Sequence, residues 1–166
     1  MLRRLTVLLG GGLTGALTLP AAVFLGDPLF RRRPADAALP VARSAEVPDL
    51  DRGDAPLRAK VLRHGVVDAW QRSEATQIGA VWLYRQRGAL VCLSTQCPHT
   101  GCSVDFDASQ RCFRCPCHDS SFALDGARQS GPAPRDLDRL PVEEREGRVL
   151  CRFQRFRSGV QRREQL

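Results

Sequence analysis

Two short blocks, CPHTGC over residues 97–102 and CPCHDS over 115–120, restrict this chain more than anything else in it. Each offers a thiol and an imidazole: Cys97 and His99 two residues apart, Cys115 and His118 three apart. Fifteen residues separate His99 from Cys115, room for one hairpin between two loops. A fold that brings the loops together makes a four-ligand site. A mixed sulfur and nitrogen set suits zinc, or an iron–sulfur cluster in which two histidines bind one iron. Cys102 and Cys117 remain, one per loop, and a disulfide tying the loops over the metal is their simplest role. Cys112 then reads as a strand residue.

The surroundings of these loops read as all-β. From about residue 57 come short runs with strand character: VVDAW (66–70), AVWLYR (80–85), ALVCLS (89–94), SVDF (103–106), RCFR (111–114), LPVEE (140–144) and RVLCRF (148–153). Turn residues such as Arg87-Gly88, Asp107-Ala108-Ser109 and Glu146-Gly147 separate them, the pattern of hairpins. No amphipathic helix, internal repeat or phosphate-binding glycine loop follows residue 57. Cys92 and Cys151 sit in apolar strand runs and read as buried thiols, or as a second disulfide in an oxidising compartment. Trp70, Trp82 and Tyr84 read as core residues, and His64, beside a glycine turn, as a surface residue.

The N-terminal part is of another kind. Leu5 to Gly26 is a 22-residue stretch without charge. As a helix it would rise about 33 Å, enough to cross a hydrocarbon core. A cleaved secretory signal has a shorter apolar core and a small-residue cleavage site, so an uncleaved anchor is the better reading. Arg31, Arg32 and Arg33 after the stretch favour a cytoplasmic domain by the positive-inside rule. The Arg3-Arg4 pair before it suits twin-arginine export, the route that carries folded, cofactor-loaded cargo. Residues 31–56 hold four prolines and no period, and read as a linker or hinge. The net charge of +7 divides unevenly: +4 over residues 1–33, +3 over 154–166 and zero between. A nucleic-acid reader needs a basic face on its folded part, so nucleic acid is excluded as a partner. Positive ends flanking an apolar stretch suit a membrane surface.

CPHTGC with CPCHDSSF resembles the Rieske 2Fe-2S motif pair, C-x-H-x-G-C and C-P-C-H-x-S. With both Cys102 and Cys117 present, the chain is similar to the disulfide-bearing subclass of quinol-oxidising bc-type complexes. GPAP (131–134) matches the proline loop that covers the cluster in those proteins. The resemblance implies an antiparallel Rieske-type β domain with an inserted cluster-binding subdomain, behind a single N-terminal transmembrane helix. It gives an anchor over 1–30, a hinge over 31–56, the Rieske domain over 57–153 with cluster loops at 95–134, and a basic tail over 154–166.

By the same resemblance one 2Fe-2S cluster is the cofactor. Cys97 and Cys115 bind one iron, His99 and His118 the other, and Cys102–Cys117 is the disulfide. Neutral imidazoles in place of two thiolates make the reduced state less costly, which is why such clusters lie at about −150 to +300 mV rather than about −400 mV. His118 meets the quinol hydroxyl, and the electron passes on to a c-type cytochrome. The implied partners are a cytochrome b-type subunit, quinol, that cytochrome and the membrane, with the domain on the periplasmic side of the inner membrane.

Three positions depart from the pattern. Ser120 matches the residue that hydrogen-bonds a bridging sulfide, but Phe122 stands where high-potential members often have Tyr. One donor fewer leaves more electron density on the cluster and lowers its potential, a better match to menaquinol than to ubiquinol. Thr100 replaces the usual tip Leu, and Asp119 the common Gly. The polar tip keeps an alternative open: a membrane-tethered Rieske subunit of another periplasmic oxidoreductase of the arsenite-oxidase kind.

Overall fold

The computed structural model describes residues 3, 12, 14–16, 18–26, 38–68 and 71–166, which fall into two units, 1–35 and 36–166. In the first, residues 18–26 are helical, with Leu19, Val23, Phe24 and Leu25 all exposed. Among the described residues no helix is long and apolar enough to cross a membrane. Part of the expected span, residues 5–11 included, lies outside them, as does Trp70.

The second unit is built of ten strands: β1 (Leu39–Arg43), β2 (Leu57–Asp68), β3 (Gln71–Gln86), β4 (Ala89–Ser94), β5 (Asp105–Asp107), β6 (Cys112–Arg114), β7 (Ser121–Phe122), β8 (Arg128–Ser130), β9 (Val142–Arg145) and β10 (Arg148–Cys151). The strands pair antiparallel, in three sheets ordered β1-β10-β9, β2-β3-β4 and β5-β6-β7-β8. The all-β expectation holds for this unit. The β5–β8 sheet is inserted in the chain between β4 and β9.

The middle sheet explains the continuous apolar runs. Side chains alternate across a strand, and both faces of β3 and β4 are covered. Val81, Leu83 and Cys92 enter one core with Ala59, Val61, Leu140, Val149 and Cys151. Trp82, Tyr84, Val91 and Leu93 enter the other with Val104, Phe113, Phe122, Cys97 and Cys115. Phe113, fully buried, lies 5.4 Å from the Trp82 ring and 5.7 Å from Phe106; burial of one such ring is worth about 1.5–3 kcal/mol. Trp82 Nε1 donates to Val104 O at 3.1 Å, and the Tyr84 hydroxyl donates to Leu124 O, so buried side chains of the middle sheet tether the inserted part. Cys92 and Cys151 are free, fully buried, and 3.6 Å apart at sulfur.

Three sequence expectations need correction. The linker of 31–56 is folded from residue 38 onward. β1 pairs with β10, and Val47 and Leu50 are buried. Pro40 misled because it sits on an edge strand, where a missing N–H is tolerated. β2 and β3 run far beyond 66–70 and 80–85. The alternation of Leu57, Ala59 and Val61 with Arg58 and Lys60 is a strand pattern that the turn-like His64-Gly65 obscured. β7 and β8, of two and three residues, were not expected, since they are too short to carry a period. The basic tail of 154–166 is folded as well: Phe156 is buried and bridges to Gln165. Trp82 and Tyr84 are core and His64 is exposed, as read from the sequence.

Candidate metal centre

The first loop leaves β4 at Ser94 and closes on itself. Cys97 N–H donates to Cys102 O at 2.8 Å and Gly101 N–H to Cys97 O at 3.0 Å. Gly101 takes φ +84°, the left-handed region that glycine occupies without strain. Val104 N–H donates to Thr95 O at 2.7 Å and fixes the loop exit. The second loop follows β6. Cys115 N–H donates to Ser120 O at 2.8 Å, and residues 116–118 form the turn between. The Cys102–Cys117 disulfide, across a separation of 15 residues, joins the two loops.

The candidate ligands pair up where these loops meet, thiol beside thiol and imidazole beside imidazole. Cys97 and Cys115 are 0% and 1% exposed, whereas His99 is partly exposed and His118 exposed. The imidazoles stand edge to face with centroids 4.8 Å apart. The site is therefore polarised, with the thiols inside and the imidazole rings nearer the surface. Burial pushes the Cys97 thiol up to about 11, against the opposing pull of a backbone hydrogen bond at His99. The Cys115 thiol adds to the rise and the Ser120 hydroxyl opposes it. His99 Nδ1 is buried with no hydrogen-bond partner. An orphaned nitrogen of this kind is costly unless another group fills its lone pair. Cys102, Cys115 and Cys117 also bring their sulfurs within 4.8 Å of one another, but two of these are bonded together, which leaves no separate thiol site.

A third segment, GPAP at 131–134, closes over the second loop. Ser120 is fully buried, and its Oγ accepts from Ala133 N–H at 3.1 Å. Gly131 takes φ +85°, and a Cβ there would lie 2.4 Å from Ser120 Cα. Phe122 is fully buried in the same core as Cys97 and Cys115. Thr100 is exposed, with its hydroxyl 3.8 Å from Cys102 Sγ, and exposed Asp119 pairs with Arg114 at 3.3 Å.

The pattern of a known domain, the Rieske [2Fe-2S] domain, matches residues 38–141. The chain belongs to the Rieske family. Its match begins at residue 38, just before β1, so β1 is part of the Rieske domain. Among curated relatives, the menaquinol:cytochrome c reductase iron-sulfur subunit of Geobacillus thermodenitrificans is 30% identical over 146 residues, covering 84% of this chain and 81% of the relative. The Bacillus subtilis protein of the same name is 27% identical, covering 83% and 80%. A chloroplastic cytochrome b6-f complex iron-sulfur subunit of Bigelowiella natans is 47% identical over 58 residues, 35% of this chain and 23% of the relative. A crystal structure of a cyanobacterial plasma membrane Rieske protein from Synechocystis PCC 6803 is 24% identical over 69% of this chain and 99% of that one, with a TM-score of 0.46.

The Rieske cofactor is one 2Fe-2S cluster, and the residues fit it. Two buried thiols, two imidazoles turned outward and the partnerless His99 Nδ1 are the donor types such a cluster takes. Reasoning from sequence missed what lies around that set. Arg135 and Asp138, 11% and 6% exposed at the side chain, pair at 2.8 Å just after the proline loop. The spacing of three is the one available hint, and it is weak outside a helix.

Proposed function

We propose that this chain carries electrons from a quinol through its Rieske cluster to a c-type cytochrome, as the iron–sulfur subunit of a bc-type complex. The observation that supports this most is the polarity of the site: thiols at 0% and 1% exposure on the inner side, and exposed His118 on the outer. In this reading Cys97 and Cys115 hold one iron and His99 and His118 the other. The bound cluster supplies a one-electron couple whose potential responds to its ligands and their hydrogen bonds. His118, the most exposed ligand, accepts the quinol hydroxyl hydrogen bond at its free ring nitrogen and takes up the proton. Cys97 and Cys115 need no solvent, and the surrounding core keeps water from them. Ser120, fixed by Ala133 N–H, presents its hydroxyl to the sulfur side.

Phe122 completes the site without a hydroxyl, and the proposed consequence is a middling potential suited to menaquinol. Relatives named as menaquinol:cytochrome c reductase subunits agree with this reading. Phe122→Tyr should raise the midpoint potential; a wild-type value already at the top of the family range would contradict the assignment. The apolar stretch 5–26, with its exposed Leu19, Val23, Phe24 and Leu25, is the proposed membrane anchor. It holds the domain on the periplasmic face of the inner membrane.

The test is low-temperature EPR on the dithionite-reduced protein with iron and zinc analysis. A rhombic signal of low average g, with nitrogen hyperfine coupling, supports the reading. Protein that holds zinc and no iron after anaerobic purification would sink it.

A further inference from the structure

The C-terminal twelve residues follow the last strand and lie beyond the matched Rieske region. Their arginines would suit a solvated tail, but several bind the protein itself. Arg155 Nη2 donates to Ile78 O at 2.7 Å. Arg163 donates to Arg139 O at 2.5 Å, stands 3.7 Å from the Asp138 carboxylate, and lies 4.1 Å over the Phe156 ring. The segment also closes on itself. Arg157 N–H donates to Glu164 O and Leu166 N–H to Arg155 O, both at 2.9 Å. Residues 158–163 are thus the tip of a closed loop.

That tip rests on the first cluster loop. Gly159 N–H donates to Pro98 O at 2.8 Å, and Pro98, fully buried, is the one residue between Cys97 and His99. Gly159 takes φ +77°, and a Cβ on it would lie 3.6 Å from His99 O. From the other side Arg135 donates Nη1 to Val160 O at 2.6 Å while its Nη2 and Nε fork onto Asp138 at 2.8 and 3.2 Å. The segment therefore spans from the His99 loop to the proline loop, which itself holds Ser120.

We infer that residues 155–166 are a clamp that sets the pose of His99 at the cluster, with Gly159 and Arg135 as its positioning residues. The inference rests on the reading of His99 as an iron ligand. The peptide Gly159 grips leads directly into His99, so a change of grip turns the imidazole rather than loosening the fold at large. Partners behind metal ligands typically change metal affinity by about 10–100-fold when removed.

Gly159→Pro removes both the N–H and the positive φ while Phe156 stays in its core. Three readouts test the clamp in the full chain: amide exchange at His99–Gly101, the EPR g values with their nitrogen hyperfine coupling, and the rate of cluster loss to a ferrous chelator. The expected result is faster exchange, shifted g values and about tenfold faster cluster loss. Arg135→Lys should shift all three in the same direction by less. Faster exchange with an unchanged EPR spectrum and unchanged cluster loss overturns the inference. If Gly159→Pro does not fold, Gly159→Ala is read by the same criteria: its Cβ has room, and it strains the grip only through the φ of +77°. A wild-type protein without a nitrogen-ligated signal overturns the reading beneath it, a separate outcome visible before any variant is made.

Discussion

The middle sheet and the inserted cluster sheet are held together by different means. The middle sheet has strands of up to 16 residues and buried side chains on both faces. The inserted sheet has strands of two or three residues, too short to fix anything by ladder hydrogen bonds alone. Its loops are braced instead by a disulfide, by turn bonds such as Cys115 N–H to Ser120 O, and by the buried Ser120 hydroxyl. The first region spends sequence on hydrophobic periodicity and the second on particular residues at particular places. Damage in the second region should therefore reach the cofactor while the first stays folded.

The hardest test of that contrast removes a proposed ligand. Cys115→Ser is expected to abolish the 2Fe-2S absorption and EPR signals altogether, while the β-sheet circular dichroism survives. Global unfolding of this variant would show that the two regions are one cooperative unit. Next in size is the cross-link. Replacing both Cys102 and Cys117 by alanine frees a loop of separation 15, and closing a loop of that length is worth about 3 kcal/mol in the chain-entropy view. The cluster should be lost at a temperature well below the melting of the sheets. Coincident transitions would argue that the disulfide braces the whole unit.

The same contrast decides what could be read from the sequence. The cluster loops were legible because chemistry fixes residue identity there: Cys97, His99, Cys115 and His118 stand at set spacings, and Cys102 and Cys117 pair as expected. The middle sheet was half legible. AVWLYR and ALVCLS show as apolar runs, but the outer parts of β2 and β3, where Arg63 and His64 are exposed, carry no apolar alternation. β1 was hidden by Pro40 and by the spacing of its apolar residues. The C-terminal clamp was not legible at all. Its contacts run from arginines to backbone carbonyls, and any residue offers a carbonyl.

A smaller effect is expected where the proline loop meets the second cluster loop. Gly131→Ala places a Cβ against the Ser120 backbone at 2.4 Å and holds alanine at a φ of +85°. A non-glycine residue held in such a region costs about 1–3 kcal/mol. The cost should fall on the cluster, as faster cluster loss and an altered potential through Ser120, and hardly on the melting of the sheets. Equal losses in both would mean that the proline loop is part of the common core.

The smallest effect sharpens the comparison, because it falls on one tether between the regions. The Tyr84 hydroxyl, rooted in β3, donates to Leu124 O in the inserted part. Tyr84→Phe leaves that carbonyl without its donor, a loss of about 1–2 kcal/mol. The tether also has a pH signature. Burial, the largest cause, raises the Tyr84 phenol well above its ordinary value, with Asp125 and Cys92 adding to the rise and Arg139 opposing it. The neutral phenol is thus the form the fold keeps. Below about pH 10 both folded and unfolded chains hold this proton, and its contribution is fully present. Above that pH the unfolded chain releases the proton first, so stability falls as pH rises. Urea unfolding of the wild type between pH 9 and pH 11 should show this decline, and Tyr84→Phe should flatten it while starting from a lower value. A wild-type slope retained in the variant would assign the alkaline loss to other groups and leave the tether as a hydrogen bond alone.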